Sequence, residues 1–189
     1  MKNESSLPSG FGLNRREFLA SAAAAGAGLM MTWPGWAQEQ AAGEKVDDLR
    51  VAFIGPGSQG RNLLNQALKI PGIRFVAICD IWPYNQTYAA NILKKYDMPV
   101  KVYTEYQELL ATEKDLDAAI VATPDWVHAE HTIACLKAGL NVYCEKEMSN
   151  TLEGAKQMVR AARETKKLLQ IGHQRRSNPR YWQDRKSVV

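Results

Sequence analysis

Cysteine is scarce in this sequence, and its three copies exclude two kinds of chemistry. Cys79, Cys135 and Cys144 have no metal-binding spacing, and an odd number cannot all pair. Cys79 and Cys144 fall at the ends of apolar runs and Cys135 within a helical pattern, so they read as small buried side chains rather than a redox pair. Strong charge of one sign is missing too. The 24 Lys and Arg against 20 Asp and Glu leave +4, which gives no reason to expect nucleic acid. A long run of large apolar residues is also absent. The best candidate, Ala20–Met31, is too short and too rich in Ala and Gly to span a bilayer, so no stable membrane insertion is expected. No internal repeat is visible, and low complexity is confined to the N-terminal segment. The remaining composition, 46% hydrophobic and 23% charged over 189 residues, suits one soluble globular domain.

From Leu49 onward apolar runs alternate with helical patterns. Strands are predicted at 50–54, 73–79, 101–103, 116–122, 141–144 and 168–171. Helices are predicted at 59–69, 83–95, 105–111, 126–138 and 151–167, with Gly139 closing the fourth and Thr151 capping the fifth. Six strands joined by crossover helices give an α/β fold with a doubly wound parallel sheet, the Rossmann arrangement.

The first strand stops at Gly55-Pro-Gly-Ser-Gln-Gly60, a G-x-G-x-x-G spacing, and a helical pattern follows at once. Gly55 suits the tight turn, Gly57 a close approach of backbone to a pyrophosphate, and Gly60 close packing of helix on strand. Ser58 and Gln59 open the helix, whose free N–H groups meet phosphate charge. Asp80 ends the second strand, twenty residues beyond Gly60, where a ribose-binding carboxylate is expected. No Arg or Lys follows in Ile81–Tyr84, which favours NAD over NADP. A glycine turn in a nucleotide-free α/β domain, with Asp80 capping a turn, is the plainer alternative.

Two further stretches follow strand ends, where ligands of such sheets bind. Thr123 and Pro124 stand after the fourth long strand, and His128 begins the next helix, where it either meets the ligand or only caps and packs. His131 is expected to be structural. Glu145 and Lys146 follow the fifth strand. A lysine there can hydrogen-bond a substrate hydroxyl or the nicotinamide ribose, or simply belong to a solvated Glu/Lys loop.

Taken together, Gly55–Gly60, Ala122-Thr-Pro-x-x-x-His128, Lys137-Ala-Gly139, Glu145-Lys146 and Arg176-Ser-Asn-Pro179 resemble the glucose–fructose oxidoreductase / inositol dehydrogenase / MocA (Gfo/Idh/MocA) family over about Val46 to Tyr181. The resemblance implies an NAD(P)-dependent oxidoreductase acting on a sugar or polyol, and a homo-oligomeric parent protein. It implies Lys146 as a catalytic residue near the hydride-transfer centre and Arg176 on the substrate side. It gives no metal. Some relatives use bound NAD for glycoside cleavage by oxidation, elimination and re-reduction, which is the second reading. A third is a fragment that only binds cofactor. One departure stands out: Glu147 replaces the proline of the family's Glu-Lys-Pro motif, so the restraint a proline puts on the preceding lysine is absent.

Both ends of the chain carry expectations of their own. Asn14-Arg-Arg-Glu-Phe-Leu19, the mildly apolar run behind it and Gly35-Trp-Ala37 resemble a twin-arginine export signal over 1–37. The protein is therefore expected to meet the twin-arginine machinery and to be periplasmic or otherwise exported. Residues 38–48 read as a linker and 49–182 as the dinucleotide-binding domain. Asp184-Arg-Lys-Ser-Val-Val189 is the in-frame reading of a common sequencing-adapter start, so 183–189 reads as an artefactual tail. The family's substrate domain, which carries its catalytic histidine, is expected to follow in the natural protein and is missing here.

Overall fold

A computed structural model describes residues 48–181. The twin-arginine pattern, most of the linker and the C-terminal tail lie outside those residues. The chain order is β1 (Leu49–Ile54), α1 (Ser58–Ala67), β2 (Ile73–Cys79), α2 (Pro83–Lys95), β3 (Lys101–Tyr103) and α3 (Tyr106–Thr112). It continues with β4 (Ala118–Val121), α4 (Asp125–Lys137), β5 (Asn141–Glu145), α5 (Leu152–Thr165), β6 (Leu169–Gly172) and a 3-10 turn at Gln174–Ser177. All strand pairs are parallel, in the order β3-β2-β1-β4-β5-β6. This is the doubly wound order, with its switch point between β1 and β4.

Alternation along the strands builds two apolar layers, because successive side chains leave opposite faces of a sheet. Val51 and Phe53 of β1 join Phe75, Leu64, Ala89 and Leu93 under α1 and α2. Ala52 and Ile54 face the other way, joining Val121, Cys135, Leu136, Cys144 and Met158 under α4 and α5. All three cysteines are buried and free, as small core side chains should be. Burial pushes the thiols of Cys79 and Cys135 up to about 12 and that of Cys144 up to about 11.

Several predicted boundaries shift by one or two residues, two of them for evident local reasons. The fourth strand is shorter than 116–122 because Asp117 turns back on β1: its carboxylate accepts from the Arg50 N–H at 2.8 Å. The last helix ends at Thr165 rather than 167 because Lys166 adopts a left-handed conformation with φ 56°. Thr151 does cap that helix, its Oγ1 accepting from the Gly154 N–H at 3.1 Å.

Candidate nucleotide-binding site

The site begins with the glycines. Gly55 has φ +84°, and a Cβ there would stand 2.6 Å from Thr123 Cγ2 and 2.7 Å from Thr123 N, so the turn after β1 rests directly on the loop after β4. A Cβ on Gly60 would stand 2.3 Å from Gly55 O. That glycine lets α1 lie against the turn. Gly57 differs: the nearest atom to its Cβ position is Asn85 Nδ2 at 3.8 Å, so the space before it is open. Gly57 is the N-cap of α1, with no side chain capping that end. The helix start therefore offers backbone N–H groups to an anion.

These features face a cavity of about 620 Å³ at the switch point. Of the residues picked out above, Gly55, Gly57, Ser58, Asp80, Thr123 and Pro124 line it. Asp80 is held in place by two donors: Oδ1 accepts from the Trp82 N–H at 2.8 Å and Oδ2 from Asn85 Nδ2 at 3.0 Å. It therefore does cap the turn after β2, and a carboxylate has about four acceptor positions, so two remain for a ligand. Gln86 fixes the same turn by donating to Asp80 O at 2.6 Å.

The remaining predicted residues fall outside the cavity wall, each with a defined place. Glu145 is buried at the end of β5, accepting from Gln59 Nε2 at 3.3 Å and from the Lys146 N–H at 3.1 Å. Gln59 and Glu145 thus meet across the sheet edge and join the α1 start to the β5 loop. Lys146 is exposed on that loop, and the bond from Lys146 to Glu147 is cis. Arg176 lies in the exposed 3-10 turn after β6, its N–H donating to His173 O at 2.9 Å. Gly60 is buried beneath the turn.

His128 stands off the cavity wall. It is 1% exposed, with Nδ1 2.6 Å from Glu147 O and Nε2 2.6 Å from Thr123 O. Each ring nitrogen faces a backbone carbonyl and the tautomer decides which of the two accepts the ring N–H, so the ring sits between the β4 loop and the β5 loop. His131, expected to be structural, lines the cavity. Its Nδ1 stands 3.1 Å from Thr123 Oγ1 and its ring centroid 4.5 Å from that of Tyr106. Burial holds it below its ordinary 6.5, opposed by Glu130 and assisted by His128. Tyr106 donates to Glu130 at 2.8 Å, and its hydroxyl is pushed up to about 12 by burial and by that carboxylate.

Several lining residues escaped the motif reading. Val127, Glu130 and His131 share one face of α4 by their three- and four-residue spacing, a signal the sequence did carry. Asn85 gave no motif signal, and neither did Arg61 behind it. Arg61 Nη2 donates to Asn85 Oδ1 at 2.8 Å, while its guanidinium stacks on Tyr88 at 4.2 Å and Tyr84 at 4.9 Å from the ring centroids. The absence of a basic residue in 81–84 thus does not leave the Asp80 region without a cation: α1 brings one from the other side.

An open glycine at a helix start, a carboxylate at the end of β2 and a cavity at the switch point fit the pyrophosphate and ribose of a dinucleotide. Residues 49–173 match the family described as "Oxidoreductase family, NAD-binding Rossmann fold", the Gfo/Idh/MocA group. The chain belongs to this family. It is 37% identical over 150 residues to a glycosyl hydrolase family 109 protein of Stenotrophomonas maltophilia, covering 76% of this chain and 32% of that protein. It is 33% identical over 137 residues to the inositol 2-dehydrogenase/D-chiro-inositol 3-dehydrogenase of Shouchella clausii, covering 71% of this chain and 38% of that one. Among solved structures, the WlbA dehydrogenase of Chromobacterium violaceum, in complex with NADH and UDP-GlcNAcA, superposes with a TM-score of 0.64 at 28% identity, covering 71% of this chain and 38% of that chain. The chain thus spans well under half the length of these relatives, and what it shares with them is the NAD(P)-binding domain of the oxidoreductase family. Among the described residues no helix is long and apolar enough to cross a membrane.

Proposed function

We propose that this chain supplies the nucleotide-binding part of an exported NAD-dependent oxidoreductase acting on a sugar or polyol. The observation that carries the reading is the joint placement of Gly57 and Asp80 on one cavity at the switch point. Gly57 and the first N–H groups of α1, at Ser58 and Gln59, hold the pyrophosphate, and Asp80 holds the adenosine ribose. Thr123 and Pro124 form the wall beside the glycine turn. NAD supplies hydride acceptance, and its reduced form hydride donation. Lys146, at the end of β5 next to β4, orients the substrate oxygen and holds a proton near it. Arg176 contributes to the substrate side. His128 keeps the β4 and β5 loops in fixed relation, which fixes where Lys146 stands. The dehydrogenase relatives support a hydroxyl-bearing small molecule as substrate, and the Asn14–Leu19 pattern supports export by the twin-arginine route to the periplasm. A homo-oligomeric parent is part of this reading.

The glycosyl hydrolase family 109 relative supports a second reading, an NAD-dependent glycosidase. Product analysis separates the two in a version of full family length. NADH formation with myo-inositol, and no release of nitrophenol from nitrophenyl glycosides, supports the dehydrogenase. Nitrophenol release without net NADH supports the glycosidase. Calorimetric titration of the purified chain with NAD tests the binding reading directly. Weak, saturable binding without turnover is expected. Sugar dehydrogenase turnover by this chain alone would overturn the view that it is only the nucleotide half. In the longer version, Lys146→Met is expected to lower kcat by about 10²–10⁴-fold while nucleotide affinity stays within a few-fold. Unchanged kcat would remove Lys146 from the chemistry.

A further inference from the structure

We infer that the Gln59 side chain is a positioning residue for Lys146, acting through the buried Glu145 carboxylate and tying the lysine to the pyrophosphate end of α1. The inference rests on the nucleotide reading above and on Lys146 as the residue that meets the substrate oxygen. Glu145 is 3% exposed and takes part in no salt bridge among the described residues. A buried carboxylate is costly unless donors meet it. Two do: Gln59 Nε2 donates to Oε1 at 3.3 Å, and the Lys146 N–H donates to Oε2 at 3.1 Å. The main chain of Glu145 is fixed as the last residue of β5, opposite Gly172 of β6. Its carboxylate is free to turn, and its two oxygens answer to two different parts of the chain. Turning it toward or away from Gln59 therefore moves the acceptor of the Lys146 N–H.

Gln59 is set for this task by its own helix. A carboxylate only accepts, so Gln59 turns its amide nitrogen toward Glu145. Its Oε1 accepts from Asn62 Nδ2 at 3.5 Å, one turn further along the same face of α1. Gln59 is the second residue of α1, so its main-chain N–H is one of the donors without a partner inside the helix. One residue thus faces two ways, with its main chain toward the phosphate and its side chain toward the β5 loop. Lys146 has little else on that side: its ammonium makes no salt bridge among the described residues. The next anchor along the loop is Glu147 O, 2.6 Å from His128 Nδ1. His128 therefore bounds the lysine from one side, and Gln59 with Glu145 bounds it from the other. A phosphate on the start of α1 fixes the Gln59 main chain, which narrows the range of its side chain and with it the places open to Lys146. By linkage, a Lys146 loop held through Gln59 strengthens pyrophosphate binding by the same factor.

The test reads the Lys146 main-chain N–H by nuclear magnetic resonance of the purified chain carrying isotope-labelled lysine, its signal assigned by its loss in Lys146→Arg. The ligands are NAD and ADP-ribose, the second carrying the pyrophosphate without the nicotinamide ring, and every variant is also melted. In the wild type both ligands are expected to shift the Lys146 signal. Gln59→Met keeps the length of the side chain and loses the donor. It is expected to abolish the shift and to lower affinity for both ligands about two- to tenfold, the worth of one long hydrogen bond. Gln59→Asn, one methylene short, gives the same result if the methionine variant melts early. The exchanged pair, Gln59→Glu with Glu145→Gln, rebuilds the bond with donor and acceptor reversed and is expected to bring the shift back. A merely structural Gln59 would lower the melting temperature and leave the shift in place. A Gln59→Met chain that keeps the wild-type shift at saturation would overturn the inference. So would an exchanged pair that fails to restore it, or a wild-type chain that binds ADP-ribose with the Lys146 signal unmoved; the nucleotide reading survives all three. A wild-type chain that binds neither ligand would refute the reading beneath it and the inference together.

Discussion

Gly57 and Gly60 are three residues apart in one motif, yet substituting alanine at each should affect different properties. At Gly60 the added methyl would lie 2.3 Å from Gly55 O and 3.2 Å from both Gly55 C and Phe53 Cε1. Two of those atoms are backbone, so α1 must move off the turn. Overpacking of this kind costs about 1–3 kcal/mol, with a backbone clash at the upper end. The better helix propensity of alanine returns about 1 kcal/mol, leaving a net loss of about 2 kcal/mol. For a domain of this size that is a fall in Tm of roughly 8 °C. At Gly57 the backbone angles are φ −71° and ψ −159°, open to any residue, and no atom but Asn85 Nδ2 comes within 4 Å of the new methyl. The entropy gained over glycine, about 0.4–1 kcal/mol, nearly cancels alanine's weaker N-capping. Tm should therefore stay within about 2 °C of wild type. The methyl instead fills the approach to the helix N-terminus, and NAD affinity should fall about tenfold or more. Calorimetry and a melting curve on both variants measure the pair. A Gly57→Ala chain that binds NAD like the wild type, or a Gly60→Ala chain that melts with it, would refute the division of labour.

Three other outcomes are expected. His128→Phe removes the ring N–H that one of the carbonyls of Thr123 and Glu147 accepts from, and with it the link between the two loops, and should cost about 1 kcal/mol in urea unfolding, with the β5 loop gaining hydrogen exchange first. Glu113 accepts from Lys101 Nζ at 2.8 Å and from the Tyr103 hydroxyl at 2.5 Å. Burial raises the Glu113 pKa, but those two hydrogen bonds outweigh it and hold the carboxyl below its ordinary 4.5. The unfolded chain therefore binds the extra proton between those two values, so this stabilisation is complete above about pH 4.5 and is lost as pH falls through the folded value. Glu113→Gln should accordingly flatten the acid limb of stability measured by urea unfolding, and a limb as steep as wild type would rule the contribution out. Finally, Cys79, Cys135 and Cys144 should resist a thiol reagent at pH 8 in the native chain and react fully in denaturant, since all three are buried and their thiols are shifted upward. Rapid labelling of native protein would contradict that packing.

The sequence by itself determined the alternation of strands and helices, because each run of apolar residues carries its own period and its own stop signal. Strand runs such as Ile73–Cys79 and the cap at Thr151 are local physics, and they stand where they were read. It also determined the family, since motifs after successive strands recur in order, and the residues those motifs marked at the ends of β1, β2 and β4 do meet on one cavity. What only the tertiary structure decided is which side of each element faces that cavity. His128 and His131 are three residues apart on α4, and nothing local says that one ties two loops together while the other lines the wall. Arg61 and Asn85 belong to different helices, 24 residues apart, and meet only because the sheet order places α1 and α2 on the same face. Gln59 and Glu145 meet across 86 residues for the same reason, at the open edge of a parallel sheet. Strand order and side-chain direction are properties of the whole packed layer, so they could not be read from any one stretch of the chain.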